Sequence, residues 1–152
     1  MAHVRALVPT HAGRVASVHG DLRDPRGILD SLAGTVDLDR PIAVLVLATL
    51  MFVADADNPA RLVHELMAPL LPGSYLAISH ATADLDPSAM AAHVAAAAEL
   101  GLPFVPRSYA EVGALFAGLE LVPPGLVPVQ RWRPRWIAPH TVYSYAGVAR
   151  KP

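Results

Sequence analysis

The chain has 152 residues, no cysteine and a formal net charge of −1 at pH 7, a size typical of one domain with its own core. The near-neutral charge argues against a polyanion-binding surface, and the lack of cysteine excludes disulfides, zinc–thiolate sites and a cysteine nucleophile. No apolar run is long enough to span a bilayer, and the N-terminal residues do not resemble a signal peptide. We expect one cytoplasmic domain over residues 1–152, with no nucleic acid or membrane partner.

The first predicted elements are a short N-terminal helix and a strand over Arg14–His19, where polar and apolar residues alternate. After a Gly-Asp corner, Asp24-Pro25 predicts a helix start, because Asp is a favoured N-cap and Pro is favoured at the first helical position. The same pairing of a capping residue with proline predicts two more helix starts, at Asn58-Pro59 and Asp86-Pro87. The segment Ser108–Glu111 fits a capping box and predicts a fourth helix.

Four further strands are predicted between and after these helices. They are Pro41–Ala48, Ser74–His80, Leu119–Val122 and Val142–Ala149. The first is continuously apolar and β-branched, which is typical of a parallel strand covered on both faces. Strands that alternate with helices predict an α/β fold with a mostly parallel sheet. Ligands in such folds bind beyond the carboxyl ends of the strands, which directs attention to the residues there.

The corner at Asp21 is the first candidate for such a site. It lies just past a predicted strand, in the sequence VHGDLRDPRGIL, where a carboxylate can hold a ligand. The structural alternative is that Asp21 only caps a turn before the helix, because Asp is favoured at such corners.

Several segments, taken together in order and spacing, resemble one protein family. They are GDLRDPRGIL, AVLVLATLMFV, PGSYLAISHAT, SYAEVGALFAGLELVPPGLVPVQRWRP and YAGVARKP. They are similar to an actinobacterial family of S-adenosylmethionine-dependent methyltransferases, formerly described as a domain of unknown function, with a Rossmann-like class I fold. The resemblance covers nearly the whole chain, and it implies S-adenosylmethionine as cofactor without indicating the methyl acceptor.

The resemblance also implies a set of cofactor-binding residues. A carboxylate after the third strand of that fold binds the adenine amino group, and Asp21 is the matching residue, with Leu22 beside the ring. The tip after the fourth strand lies under the cofactor and corresponds here to Ala48, Thr49 and Met51. Relatives often carry histidine at the position of Met51, so this chain departs from them where a polar catalytic group would lie.

A glycine-rich cofactor loop is missing from the sequence. None of the ten glycines forms a G-x-G motif, and the resemblance implies that this loop and the first two strands precede Arg14–His19. The chain therefore resembles the C-terminal two-thirds of a methyltransferase, as expected from a misassigned start, a truncated gene or a fragment. We expect a partial sheet with unpaired edges, which invite self-association, unless Arg14–His19 pairs beside Ile42–Leu47 or a partner chain fills the gap.

The catalytic residues are unknown, and His80 is the one weak candidate for a general base, since imidazole titrates near neutral pH. Its structural alternative is a hydrogen-bonded residue at a strand end. The other histidines show no metal-chelating spacing, so no metal site is expected. The basic-aromatic segment Gln130–Trp136 fits binding of a nucleic acid or an anionic substrate. Its structural alternatives are a loop that its tryptophans hold against the sheet edge and a dimer contact.

Two hypotheses of different classes follow for the function. In the first, the chain is part of a methyltransferase and is inactive alone unless the missing part is supplied. In the second, it is a non-catalytic remnant or an interaction module that uses its open sheet edge. A third reading, a small α/β protein that binds a different nucleotide cofactor, also stays open.

Overall fold

The computed structural model describes residues 17–134 and 142–152. In chain order, its helices are α1 (Pro25–Leu32), α2 (Pro59–Met67), α3 (Pro87–Glu99) and α4 (Tyr109–Ala114). Its strands are β1 (Ala43–Leu47), β2 (Tyr75–Ala81), β3 (Glu120–Leu121), β4 (Val127–Pro128) and β5 (Ser144–Arg150). Short 3₁₀ turns cover Leu50–Phe52, Asp55–Asp57 and Val129–Arg131. Across the described ranges, no helix has the length and apolar character that a membrane span requires.

The helices begin where their sequence signals predict. At the three proline-marked starts, the capping side chain accepts a hydrogen bond from an amide of the first turn, in the pairs Asp24 with Gly27, Asn58 with Arg61 and Asp86 with Ala89. At α4, the Ser108 side chain accepts from the Glu111 amide while the Glu111 carboxylate accepts from the Ser108 amide. These caps satisfy amides that otherwise lack an intrahelical partner.

The sheet has the strand order β1-β2-β5-β3, and β4 also pairs with β5. Only β1 and β2 are parallel; β5 is antiparallel to β2, β3 and β4. The α/β class is confirmed, but the prediction of a mostly parallel sheet is wrong for the described residues. Parallel neighbours need a crossover connection, which α2 supplies between β1 and β2, whereas no described α-helix separates β3, β4 and β5.

Residues 17–19, the described part of the strand predicted at Arg14–His19, do not form a strand. Residues 14–16 lie outside the described ranges, and Ser17, Val18 and His19 are not in a strand. This short stretch has a single apolar side chain, Val18, which is too little to hold a strand against β1. The direct pairing of this segment beside Ile42–Leu47 is therefore absent from the described sheet, where β1 lies at the edge.

The main core lies around β2 and α2. Its fully buried side chains include Leu76 and Ile78 of β2, Leu50 after β1, and Val112 of α4. A smaller cluster joins Met51, Ala81 and Met90, with Phe104 and Tyr143 packed against it. Together these clusters fix the carboxyl ends of β1 and β2, the region where the sequence predicts a ligand site.

The edge strand β1 is covered on one face only. Val46 is buried, but Leu45 is 64% exposed and Leu47 is 52% exposed. The expectation that this strand is covered on both faces is therefore wrong for the described residues. Its continuous apolar sequence instead leaves two large apolar side chains at the surface.

Candidate functional site

Asp21 lies in a tight turn and forms an ion pair with Arg23. The Asp24 amide donates to the Asp21 carbonyl at 2.9 Å, and the Arg23 amide donates to Asp21 Oδ1 at 2.9 Å. Arg23 Nη2 lies 2.6 Å from Asp21 Oδ2, and the hydrogen bonds from Arg23 lower the pKa of Asp21 to about 2. This geometry supports the structural alternative for Asp21. It also leaves the carboxylate ionised and about half exposed, so that further donors can reach it.

Leu22, next in the chain, lines an apolar groove along β1. The groove has a volume of about 380 Å³, within the usual range for small-ligand sites. Its walls are apolar side chains from α1 and β1, together with Leu66 of α2 and Thr49 at the carboxyl end of β1. The structure thus brings together Leu22 and Thr49, two residues that the family resemblance implies at the cofactor.

The strand tip at Ala48 has an unusual backbone conformation. Ala48 has a φ of 50°, in the left-handed region that non-glycine residues rarely adopt. Its amide is held by β2, donating to Ser79 O at 3.0 Å and to Ser79 Oγ at 3.1 Å. The Thr49 hydroxyl donates to Leu47 O at 2.9 Å. Strained residues cluster at ligand sites, which adds weight to this tip as part of the site.

Met51 does not join the groove, because its side chain belongs to the smaller core cluster with Ala81 and Met90. Its carbonyl accepts from the Val105 amide at 2.8 Å. A buried thioether among apolar neighbours has a packing role. Because the side chain of Met51 is in the core, only its backbone is available to a cofactor floor.

His80 is completely buried and both ring nitrogens have partners. Nδ1 lies 2.8 Å from Ala81 O, and Nε2 lies 2.9 Å from Arg107 Nη1. Burial is the main cause that lowers the pKa of His80, and the positive charge of Arg107 lowers it further. A ring closed off from solvent and bonded at both nitrogens has no route to a substrate proton, so the geometry favours the structural alternative for His80.

Sequence reasoning missed Arg107, which is only 4% exposed. Besides His80, its guanidinium donates to Leu50 O and to Val53 O, both at 3.0 Å, and to Asp55 Oδ1 at 2.6 Å. The signal that was available is its position. It is a single cation between the apolar, proline-containing stretch LPFVP and the capping box.

A second group of polar contacts lies beyond the carboxyl end of β2. Asp84 Oδ2 accepts from the Tyr109 amide at 2.8 Å and from the Tyr145 hydroxyl at 3.2 Å. Burial, with this hydrogen bond, raises the pKa of Tyr145. The Tyr109 and Tyr145 rings meet edge to face at 5.3 Å, so the contacts join α4 to β5.

Two other cavities lie away from the predicted site residues. One of about 820 Å³ is lined by residues of α1 and α2, and one of about 300 Å³ lies between α2, the end of α4 and the C-terminal residues. In residues 17–134 and 142–152, no group of His, Asp and Glu side chains has a geometry that would hold a metal ion.

The described part of the segment Gln130–Trp136 is bound to the protein itself. Gln130 donates to Val142 O at 2.9 Å, and Arg133 donates to Pro123 O at 2.8 Å. The Arg133 guanidinium also lies 5.3 Å from the centre of the Trp132 ring. These contacts favour the loop-clamping interpretation over an anionic ligand; Arg135 and Trp136 lie outside the described residues.

The described geometry defines an α/β protein with an apolar groove along β1 that Leu22 and Thr49 line, and with the exposed carboxylate of Asp21 next to Leu22 in the chain. The sequence profile of the S-adenosyl methyltransferase family matches residues 1–152. The chain therefore belongs to this family, as its sequence motifs predict.

Solved structures agree with this assignment. A DUF574 family protein from Streptomyces avermitilis superimposes with a TM-score of 0.83 at 40% identity, over 89% of this chain and 54% of its own. A candidate methyltransferase from Thermobifida fusca gives a TM-score of 0.85 at 28% identity, over 99% of this chain and 58% of its own. The chain thus spans little more than half the length of these proteins. A comparison with curated proteins finds no match.

Proposed function

We propose that this chain forms the adenosine half of an S-adenosylmethionine site in a cytoplasmic methyltransferase. Asp21 accepts the adenine amino group, Leu22 packs against the ring, and Ala48, Thr49 and the Met51 backbone form the floor. The observation that carries the proposal is the groove of about 380 Å³ that Leu22 and Thr49 both line. Asp21, whose carboxylate is ionised and about half exposed, directly precedes Leu22 in the chain.

The residues present fit the polar and apolar parts of an adenosine group. A carboxylate accepts an amino N–H, and its pKa of about 2 keeps it an acceptor at neutral pH. The apolar groove removes a planar ring from water, which is favourable roughly in proportion to the area buried. When bound, the cofactor supplies a sulfonium-activated methyl group, and the contribution of the protein is to orient it toward an acceptor of unknown identity.

We further propose that a glycine-rich loop, of which this sequence has no G-x-G motif, and two strands that are absent from the described residues complete the site. Support comes from the absence of a G-x-G motif among its ten glycines. On this proposal the chain alone binds the cofactor weakly and transfers no methyl group.

The test is titration calorimetry of the chain with S-adenosylmethionine, after circular dichroism has shown that the chain is folded. A micromolar Kd corresponds to about 8 kcal/mol. Asp21→Ala is expected to weaken binding by about 10- to 100-fold, the effect of losing one hydrogen bond to a charged group. Asp39→Ala is the matched control, because Asp39 is an exposed carboxylate outside the groove. No heat with a millimolar cofactor concentration, from folded protein, would rule out binding by this chain.

A non-catalytic interaction module is the second candidate. It is favoured by Leu45 and Leu47, which are 64% and 52% exposed on an edge strand. Edge strands with exposed apolar side chains pair readily with other chains. On this candidate the chain self-associates along β1 without binding the cofactor, which sedimentation velocity and the same calorimetry distinguish.

A further inference from the structure

Arg107 links three segments that are far apart in the sequence. Its side chain contacts His80 near the end of β2, the carbonyl groups of Leu50 and Val53 after β1, and Asp55. Its own amide donates to Ala81 O at 3.0 Å. We call this group of contacts the Arg107 clasp.

The hydrogen bonds of the clasp fix the protonation of His80. A carbonyl oxygen only accepts, so Nδ1 must carry the proton that is shared with Ala81 O. A guanidinium only donates, so Nε2 must be the unprotonated acceptor for Arg107. The clasp therefore requires the neutral imidazole with its proton on Nδ1.

The segment held by the clasp follows directly from the strand tip. Thr49 and Leu50 accept from the amides of Phe52 and Val53, at 3.0 and 3.1 Å. Arg107 then binds the carbonyl groups of Leu50 and Val53 at the two ends of this turn. Thr49, which lines the groove, therefore lies between two residues with fixed backbones. Ser79 binds the amide of Ala48, and Arg107 binds the carbonyl of Leu50.

We propose that Arg107 is a positioning residue for the cofactor site, fixing the segment after β1 and with it the strand tip at Ala48 and Thr49. The inference rests on the proposed function for its cofactor readout. It goes beyond that proposal by assigning a role to a side chain that does not line the groove. Binding groups displaced by about 1 Å can lose up to about 100-fold in effect, so the clasp acts on affinity without touching the ligand.

The clasp also predicts a dependence on pH. Protonation of His80 at Nε2 removes the acceptor and places two cations side by side, so acid opens the clasp. The charged groups around the ring are Arg107 and Glu111, with Asp55 on the far side of Arg107. On β5, the register partner of His80 is Tyr145, whose hydroxyl is directed to Asp84.

The experiment compares variants by calorimetry with S-adenosylmethionine and by amide hydrogen exchange of residues 50–55. Arg107→Met removes every side-chain contact of the clasp, and Arg107→Lys restores only part of them. His80→Gln keeps a neutral acceptor that does not titrate. Arg61→Met is the matched control, because Arg61 forms an exposed ion pair with Glu65 on α2.

The expected result is faster exchange at Phe52 and Val53 in Arg107→Met, with β2 amides unchanged. Affinity falls by roughly tenfold or more, recovers in part in Arg107→Lys and stays unchanged in Arg61→Met. Any loss of affinity as the pH falls through the lowered pKa of His80 is smaller in His80→Gln than in the wild type.

Unchanged exchange and affinity in Arg107→Met would overturn the inference, and so would equal acceleration of exchange in β2. If Arg107→Met does not fold, Arg107→Lys decides, because exchange at residues 50–55 and affinity that both equal those of the wild type contradict the clasp. If the wild type binds no cofactor, the proposed function fails, while hydrogen exchange still decides whether the clasp fixes residues 50–55.

Discussion

The two parallel strands β1 and β2 lie side by side in different surroundings. Along β2, Leu76, Ile78 and His80 are all at most 1% exposed, and the polar side chain among them has partners for both nitrogens. Along β1, two of the five side chains are large, apolar and more than half exposed. In the described structure, the core-facing side chains of β2 are thus buried and hydrogen-bonded, whereas β1 is exposed at the sheet edge. We call the region around β2 the closed side and the region around β1 the open side.

This difference indicates which side carries stability and which side is available for binding. Burial of apolar area and satisfied polar groups stabilise the fold around β2. The exposed side chains Leu45 and Leu47 of β1 are not part of the core clusters of the described residues. They are therefore available to a ligand, to another strand or to a second chain.

The largest expected effect is the substitution Leu76→Ala in β2. Leu76 is fully buried in the main cluster, so truncation should lower the free energy of unfolding by about 2–5 kcal/mol. Urea denaturation measures the change. In contrast, Leu45→Ala on β1 should change it by less than about 0.5 kcal/mol. Equal losses in the two variants would mean that β1 is as well covered as β2.

His80→Leu should come next, with a loss of about 1–3 kcal/mol, because Ala81 O loses one of its donors and Arg107 loses one of its acceptors inside the core. His80→Gln, which keeps an acceptor for Arg107, should lose less. A His80→Leu variant as stable as the wild type would show that the polar contacts of β2 contribute nothing net.

His80 also makes the free energy of unfolding depend on pH. The pKa of His80 is lowered in the folded state, so the unfolded chain binds its proton more readily, from about pH 6.5 downward. Stability from this residue is therefore full above about pH 6.5 and falls as the pH falls below it. Urea midpoints measured from pH 8 to pH 5 should show this loss in the wild type and a smaller one in His80→Gln.

On the open side, Leu45→Lys should change association rather than stability. An exposed substitution changes the free energy of unfolding by less than about 0.5 kcal/mol, but a lysine on an edge strand opposes pairing with another chain. Sedimentation velocity should show less self-association than in the wild type. Leu100→Lys is the matched control, because Leu100 is 74% exposed at the end of α3. A similar effect of both variants would indicate general solubility rather than pairing at β1.

Local signals in the sequence predicted local structure well. The caps at Asp24, Asn58, Asp86 and Ser108 depend on residues three positions apart, and all four form. The bounds of the strands β1, β2, β3 and β5 lie within two residues of their predicted bounds. Family motifs quoted from the sequence likewise identified the family that its profile confirms.

Features that depend on distant partners were not predicted. An apolar run such as Ala43–Leu47 reads as covered on both faces, but coverage depends on which elements pack there. The position of Met51 after β1 does not reveal that its side chain turns into a core cluster with Met90. Arg107 lies 27 residues from His80, and no periodic pattern links the two. Each error arises where a contact between distant segments decides the outcome.

The smallest expected effect concerns Asp21, on the open side. Its pKa is lowered to about 2 by hydrogen bonds from Arg23, so its contribution to stability is present above about pH 4 and is lost as the pH falls toward 2. The contribution is small because exposed ion pairs are screened by water. The difference in urea midpoint between the wild type and Asp21→Asn should therefore hold from pH 8 to pH 5 and shrink between pH 4 and pH 2. Asp39→Asn serves as the control.

A difference that already changes near pH 6 would instead mean that Asp21 is coupled to the closed side. The two sides should respond to acid in separate ranges, His80 below about pH 6.5 and Asp21 only below about pH 4. Affinity for S-adenosylmethionine then distinguishes their roles between pH 8 and pH 5. Asp21 stays ionised throughout this range and contributes a constant term, so any loss of affinity that His80→Gln removes must come from the Arg107 clasp.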